Sequence, residues 1–295
     1  KGDKELEELR RLKGEVTGQE TPHFFAWDYL FYSTLYKKKY FNVDLMELKD
    51  FFPLENVLQG MLSVMADVFG LKFVEQKKGS FPTWHEDVRL FVVNDESGDL
   101  VGAFYMDLFP RPGKYGHAAA FGLVEGYLRD DGSYQAPVEA MVCNFPSNPP
   151  SLLSHSEVET FFHEFGHILH GVVTRAKYVK FSGTSVAWDF VEAPSQVLEN
   201  WCWDADILNR IARHVKDPSK KISKDFVEKM SKAHKAGMGM FYRRQLSFAK
   251  ADLEFHTSGE VKNSTDIMNR VLSETFLPPP SDTAFQAGWG HMVGY

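Results

Sequence analysis

His163, Glu164 and His167 are of the types, and at the spacing, that can hold a metal ion and activate a water beside it. They lie in the run Glu159-Thr-Phe-Phe-His-Glu-Phe-Gly-His-Ile-Leu-His170, where Phe161, Phe162, Phe165, Ile168 and Leu169 recur at helical spacing. Gly171 is the first residue that would stop this helix. On a helix, His163 and His167 stand at i and i+4, so both imidazoles leave one face about a turn apart. That separation suits two nitrogens bound to one zinc ion at about 2.0–2.1 Å each. Glu164 points to the side of the pair, where a carboxylate reaches water at the metal without being a ligand.

A catalytic zinc takes a third protein ligand and keeps an open position. In one layout a third His follows the second by six residues, with Gly at the third. Those places hold Val173 and His170, so that layout fails. In the other, a Glu from a later helix completes the set. Glu192, in Asp189-Phe-Val-Glu192, stands 25 residues after His167 and is the natural choice. Glu199, seven residues further on, shares its helix face and is the alternative. It reads better as a carboxylate supporting the ligands, as do Asp189 and Gln196. His170 reads as packed or hydrogen bonded near the helix end.

The elements that must carry these residues follow from the period of the apolar pattern. Residues 1–70 read as helical, with a helix capped by Thr21-Pro22 running towards Lys39 and a short one, Leu45–Phe51, capped by Asp44. Leu54 to Phe69 is amphipathic and closes at Gly70. Trp27, Tyr29, Phe31 and Tyr32 are expected in packing between helices. Residues 71–145 change to strand period. Stretches 88–93 and 100–109 form a hairpin, and 118–124 and 137–145 are further strands. Residues 146–295 return to helix, starting at a cap from Ser154 or Ser156 and continuing through 201–214, 223–236, 239–256 and 264–276. The expected fold is mainly α, of α+β class: one catalytic region with a small sheet just before the His-Glu helix. An extended peptide can add itself to such a sheet's exposed edge.

The 295 residues carry a net charge of −7, and their Lys clusters are short and scattered, which argues against a nucleic-acid partner. No apolar run reaches the 18 or so residues of a membrane span. Two cysteines, Cys143 and Cys202, make no disulfide framework and suit a reducing compartment. The charged opening segment has no secretory signal core. The Gly-rich ending at Tyr295 suggests a piece of a longer protein.

The motifs 163–167, Phe181-Ser-Gly-Thr184, Asp189-Phe-Val-Glu192 with Pro194-Ser-Gln196, and Leu198-Glu-Asn-Trp201 together resemble the zinc-peptidase family of thimet oligopeptidase, neurolysin, saccharolysin and oligopeptidase A. The run from Phe104 through Pro110-Arg-Pro-Gly-Lys-Tyr-Gly116 to Ala118 is similar to that family's sheet region, and the resemblance extends over nearly the whole chain. It implies one zinc on His163, His167 and Glu192, with Glu164 as general base. It further implies a zincin-like, two-lobed, mostly helical monomer that cleaves internal bonds of short unstructured peptides. A carboxydipeptidase of the same family is the alternative, as is a zinc-bound fragment that holds peptide without cutting it. His291 and Tyr295 match a Gly-rich substrate loop that in the family continues into further tyrosines. The expected location is cytoplasmic, with mitochondrion or plastid as the alternative.

Overall fold

The computed structural model describes residues 1–43, 45–257, 259 and 263–294. In chain order the elements begin with helices α1 (Gly2–Thr17), α2 (Tyr29–Phe41) and α3 (Leu54–Phe69). Strands β1 (Lys72–Glu75), β2 (Arg89–Asn94), β3 (Leu100–Asp107), β4 (Ala119–Val124), β5 (Tyr127–Leu128), β6 (Tyr134–Gln135) and β7 (Val138–Val142) follow. The remainder is helical: α4 (His155–Val172), α5 (Ala193–Glu199), α6 (Ala205–Ile211), α7 (Lys224–Ala236), α8 (Met238–His256), α9 (Ser264–Thr275) and α10 (His291–Gly294). The chain is thus mainly helical with a small mixed sheet. It divides into two compact units, Leu45–Val227 and Lys1–Asp44 with Glu228–Tyr295.

In the unit Leu45–Val227, five strands pair in the order β1-β2-β3-β7-β4. All neighbours are antiparallel except β3 and β7, which run parallel with Asp107 opposite Val142. A parallel pair needs a crossover, and here it carries β4 and the β5–β6 hairpin. α4 lies against this sheet through aromatic rings. Phe165 meets Phe104 edge-on at 5.4 Å and Phe73 at 5.9 Å, and Phe91 stacks on Phe104. Phe91, Phe104, Phe161, Phe162 and Phe165 are almost fully buried; each such ring contributes roughly 1.5–3 kcal/mol of hydrophobic stabilisation. Ser154 starts α4 with a capping box: its hydroxyl accepts from the Glu157 amide, and the Glu157 carboxylate accepts from the Ser154 amide. A cap of this kind is worth about 1 kcal/mol.

The other unit has its own core, in which Leu6, Leu9 and Leu12 of α1 pack with Met240 and Ala251 of α8 and Met268 and Val271 of α9. Glu5 accepts hydrogen bonds from the Gly239 and Met240 amides at the start of α8.

Several local expectations change. The helix after Gly18 begins with a 3-10 turn at Ala26–Asp28, not at Thr21-Pro22, because Asp28 accepts from the Phe25 amide and pairs with Lys13 at 2.7 Å. Leu45–Phe51 is 3-10, and its expected cap Asp44 lies outside the described residues. Tyr32 is buried, whereas Trp27 and Phe31 are 59% and 62% exposed, so they do not fill a core. The stretch 201–214 breaks because Asp204 caps α6 through the Asp206 and Ile207 amides.

Gly171 does not stop α4, which runs on to Val172. Its role is room: a Cβ there would come 2.1 Å from Oε1 of Glu139, near the start of β7. Glu139 is 5% exposed, and burial, with the nearby charge of Glu125, pushes its carboxyl up to about 8 from an ordinary 4.5. A carboxyl raised on folding binds more protons in the native chain than in the unfolded one between these values. Its contribution is therefore fully present below pH 4.5 and is lost as pH rises through 8. Glu139→Gln is expected to remove that slope and to be a few kcal/mol more stable than the parent at pH 8.5; denaturant titrations at pH 5 and pH 8.5 measure it. Parallel pH dependence in both proteins would refute this account.

Candidate active site

α4 presents His163, Glu164 and His167, and the start of α5 presents Glu192 as its N-cap residue. Nε2 of His163, Nε2 of His167 and Oε2 of Glu192 form a triangle with every side 3.2 Å. These three residues are the group of His, Cys, Asp and Glu side chains that could hold a metal ion among the described residues. On its far side, Nδ1 of His163 lies 2.6 Å from Oε1 of Glu199, to which it donates; in the neutral imidazole this leaves the Nε2 lone pair facing the triangle. Glu192 and Glu199, one at each end of α5, therefore serve opposite nitrogens of one imidazole.

Ser195 is the residue whose part sequence reasoning missed. It is fully buried, and its hydroxyl lies 2.7 Å from Oε2 of Glu192 as a donor, with the Glu192 carbonyl also in reach at 3.0 Å. The signal was available in the i, i+3 spacing from Glu192, but Ser at that place reads equally well as ordinary first-turn chemistry. Asp189 and Gln196 have exposed side chains, and Gln196 takes part through its backbone, its amide donating to the Glu192 carbonyl. His170 packs its ring near Phe190, with Nδ1 buried and without a hydrogen-bond partner. His291 belongs to the other unit, where it stacks on Trp289; Tyr295 lies outside the described residues.

The charges are crowded. Glu164 is 6% exposed, and burial pushes it up to about 7; His163 opposes this shift and Glu192 adds to it. Burial works against the imidazolium of His163, yet the hydrogen bond to Glu199 and the charges of Glu164, Glu192 and Glu199 prevail and raise it. His167 shifts down, from burial first, with His163 and His170 assisting and Glu192 opposing. Glu164 does not bond into the triangle. It is a buried carboxyl beside it, suited to proton transfer.

Along its whole length, residues 1–295, the chain matches the model of peptidase family M3. It belongs to that family. It is 40% identical to the thimet-like oligopeptidase of Dictyostelium discoideum over 306 residues, which cover 98% of this chain and 45% of that protein. It is 40% identical to saccharolysin of Saccharomyces cerevisiae and 35% identical to oligopeptidase A of Escherichia coli, each alignment covering 99% of this chain and 43% of the relative. The chain thus spans less than half the length of these family M3 relatives.

Gly166 explains how α5 comes so near. A Cβ there would sit 2.5 Å from the Cα of Ser195 and 3.1 Å from the Pro194 carbonyl oxygen. Helix propensity favours Ala over Gly by about 1 kcal/mol, but a backbone clash of this size costs more, on the order of 3 kcal/mol. Gly166→Ala is expected to destabilise the chain by about 2 kcal/mol net; an unchanged denaturation midpoint would show that the two helices separate freely.

Proposed function

We propose that the protein is a zinc-dependent oligopeptidase acting on internal bonds of short, unstructured peptides. The observation that carries this reading is the 3.2 Å triangle with a buried carboxylate beside it. Three donors at about 2.0–2.1 Å from a tetrahedral zinc stand roughly 3.3–3.4 Å apart, and two imidazoles with one carboxylate are a usual catalytic set. His163, His167 and Glu192 would hold the ion, Glu199 would fix the tautomer of His163, and Ser195 would hold Glu192 in place. When bound, zinc supplies Lewis acidity that acidifies water and polarises a carbonyl.

Glu164 takes a proton from the attacking water as the carbon–oxygen bond forms, then delivers it to the departing amine as the carbon–nitrogen bond breaks. Its burial supports this role, since a base near neutrality both accepts and returns a proton readily. β4, one of the sheet's two edge strands, pairs with β7 alone among the described residues and packs beside α4. Its Phe121, Leu123 and Val124 are 40–49% exposed, as suits an edge to which a peptide backbone adds. The buried thiols Cys143 and Cys202 suit a reducing compartment, which supports the cytosol, with mitochondrion or plastid as the alternative.

Glu164→Gln is expected to keep one zinc per chain and to lose about 10³-fold or more in turnover of a quenched fluorescent peptide. His163→Ala and Glu192→Ala are expected to lose the metal in dialysed protein, and Glu199→Gln to weaken it by about 10–100-fold. Stoichiometric zinc in Glu192→Ala would overturn the ligand set. Mass spectrometry of the products from one decapeptide separates internal cleavage from removal of C-terminal dipeptides. Zinc uptake and measurable peptide binding without any product would mean a chain that holds peptide and does not cut it.

A further inference from the structure

The loop joining β3 to β4 crosses the ends of two central strands, and a buried ammonium is at the centre of the polar bonds that hold it there. The side chain of Lys114 is 4% exposed. Its Nζ donates to the carbonyls of Asp107 (2.9 Å), Phe109 (2.7 Å) and Cys143 (2.5 Å) and lies 3.0 Å from Oδ1 of Asp107. Asp107 ends β3, and Cys143 follows β7, its strand partner. The carboxylate of Asp107 is itself fixed by a two-pronged bond from Arg111 and by Nε1 of Trp84. One residue beyond Cys143, the Asn144 side chain donates to the carbonyls of Tyr115 and His117, just before β4 begins.

Beyond Leu108, which is buried and whose carbonyl accepts from the Phe145 amide, this loop is held by polar bonds and not by a core of its own. Pro112, Gly113, Tyr115, Gly116 and His117 are exposed, while the sheet beneath is secured by Phe91 and Phe104. A buried ammonium stays bound only while its acceptors surround it, so Lys114 defines one position for the loop. β4 follows directly and, among the described residues, has β7 as its one strand partner.

Resting on the peptidase reading above, we propose that Lys114 is a positioning residue for peptide binding. Its ammonium clamps the loop 108–118 onto the ends of β3 and β7, and so holds β4 ready to receive the substrate backbone. His163, His167 and Glu192 stand on α4 and at the start of α5 and make none of the Lys114 bonds, so loss of Lys114 is expected to loosen the binding edge and leave the metal in place.

The test compares Lys114→Met and the milder Asn144→Ala with the parent chain, measuring zinc content, kcat and KM on a quenched peptide, and amide hydrogen exchange. Lys114→Met is expected to raise KM about tenfold or more, with kcat within about threefold and zinc at one per chain. Exchange is expected to quicken across 115–124 and to stay unchanged across 155–172. Asn144→Ala is expected to move KM and exchange the same way by a smaller factor, and it decides the matter if Lys114→Met fails to fold. An unchanged KM in the variants that fold, or a joint loss of zinc, kcat and exchange protection throughout, overturns the proposal. A parent chain that takes up zinc but neither binds nor cuts the peptide defeats the peptidase reading first, and the unsubstituted control reveals it.

Discussion

Gly166 lies where α4 meets the backbone of α5, and the site's geometry depends on that closeness. Helix axes ordinarily pack 8–10 Å apart because side chains stand between them. A carboxylate from one helix can stand 3.2 Å from two imidazoles on another when its own backbone is brought in close. At Gly166 no side chain intervenes, and the Ser195 backbone occupies the space a Cβ would need. The consequences run outward along α5 in both directions. Three residues before Ser195, Glu192 reaches the inner nitrogens of both imidazoles; four residues after it, Glu199 reaches the outer nitrogen of His163. A short helix anchored at its middle thus places both of its ends.

Electrostatics then gives this arrangement its chemical character. Three carboxylates, Glu164, Glu192 and Glu199, surround His163, in a region where Glu164 is almost fully buried. Such crowding of negative charge is unfavourable by itself and favours a bound cation. The roles divide by hydrogen bonding. Glu192 and Glu199 each have a defined partner in Ser195 or His163, while Glu164 stands beside the triangle with its proton affinity raised by burial.

The sheet supplies a rigid back wall and a less rigid margin. Phenylalanines of β2, β3 and α4 interlock, so the wall is secured by apolar burial. Towards β4 the character changes: the crossover is tied by Lys114, Asp107, Arg111 and Asn144, and the strand's outer residues face solvent. Glu139 belongs to this margin, a buried carboxyl fitted against Gly171 where any side chain would collide. Packing that depends on ionisable groups responds to pH and substitution in ways an aromatic core does not.

Much of the site was legible because its key distances are local. His163, Glu164 and His167 lie about one helical turn apart, so period alone places them; the cap expected from Ser154 or Ser156 is Ser154, completed by Glu157. Glu192 was singled out by its neighbours and spacing, and it is the carboxylate that closes the 3.2 Å triangle. What the sequence could not settle was every relation across space. The burial of Ser195, the opposite-side bond of Glu199, and the outward-facing side chains of Asp189 and Gln196 depend on how α5 rotates as it docks. Gly171 read as a stop and Gly166 as one letter of a motif. Their common meaning, room for another element's atoms, is a property of contacts between distant residues. By itself the sequence determined which groups can do chemistry and the helix that carries three of them, because those follow from residue type and local period. Tertiary structure alone decided which carboxylate meets which nitrogen, because that turns on sub-ångström clearances between two backbones.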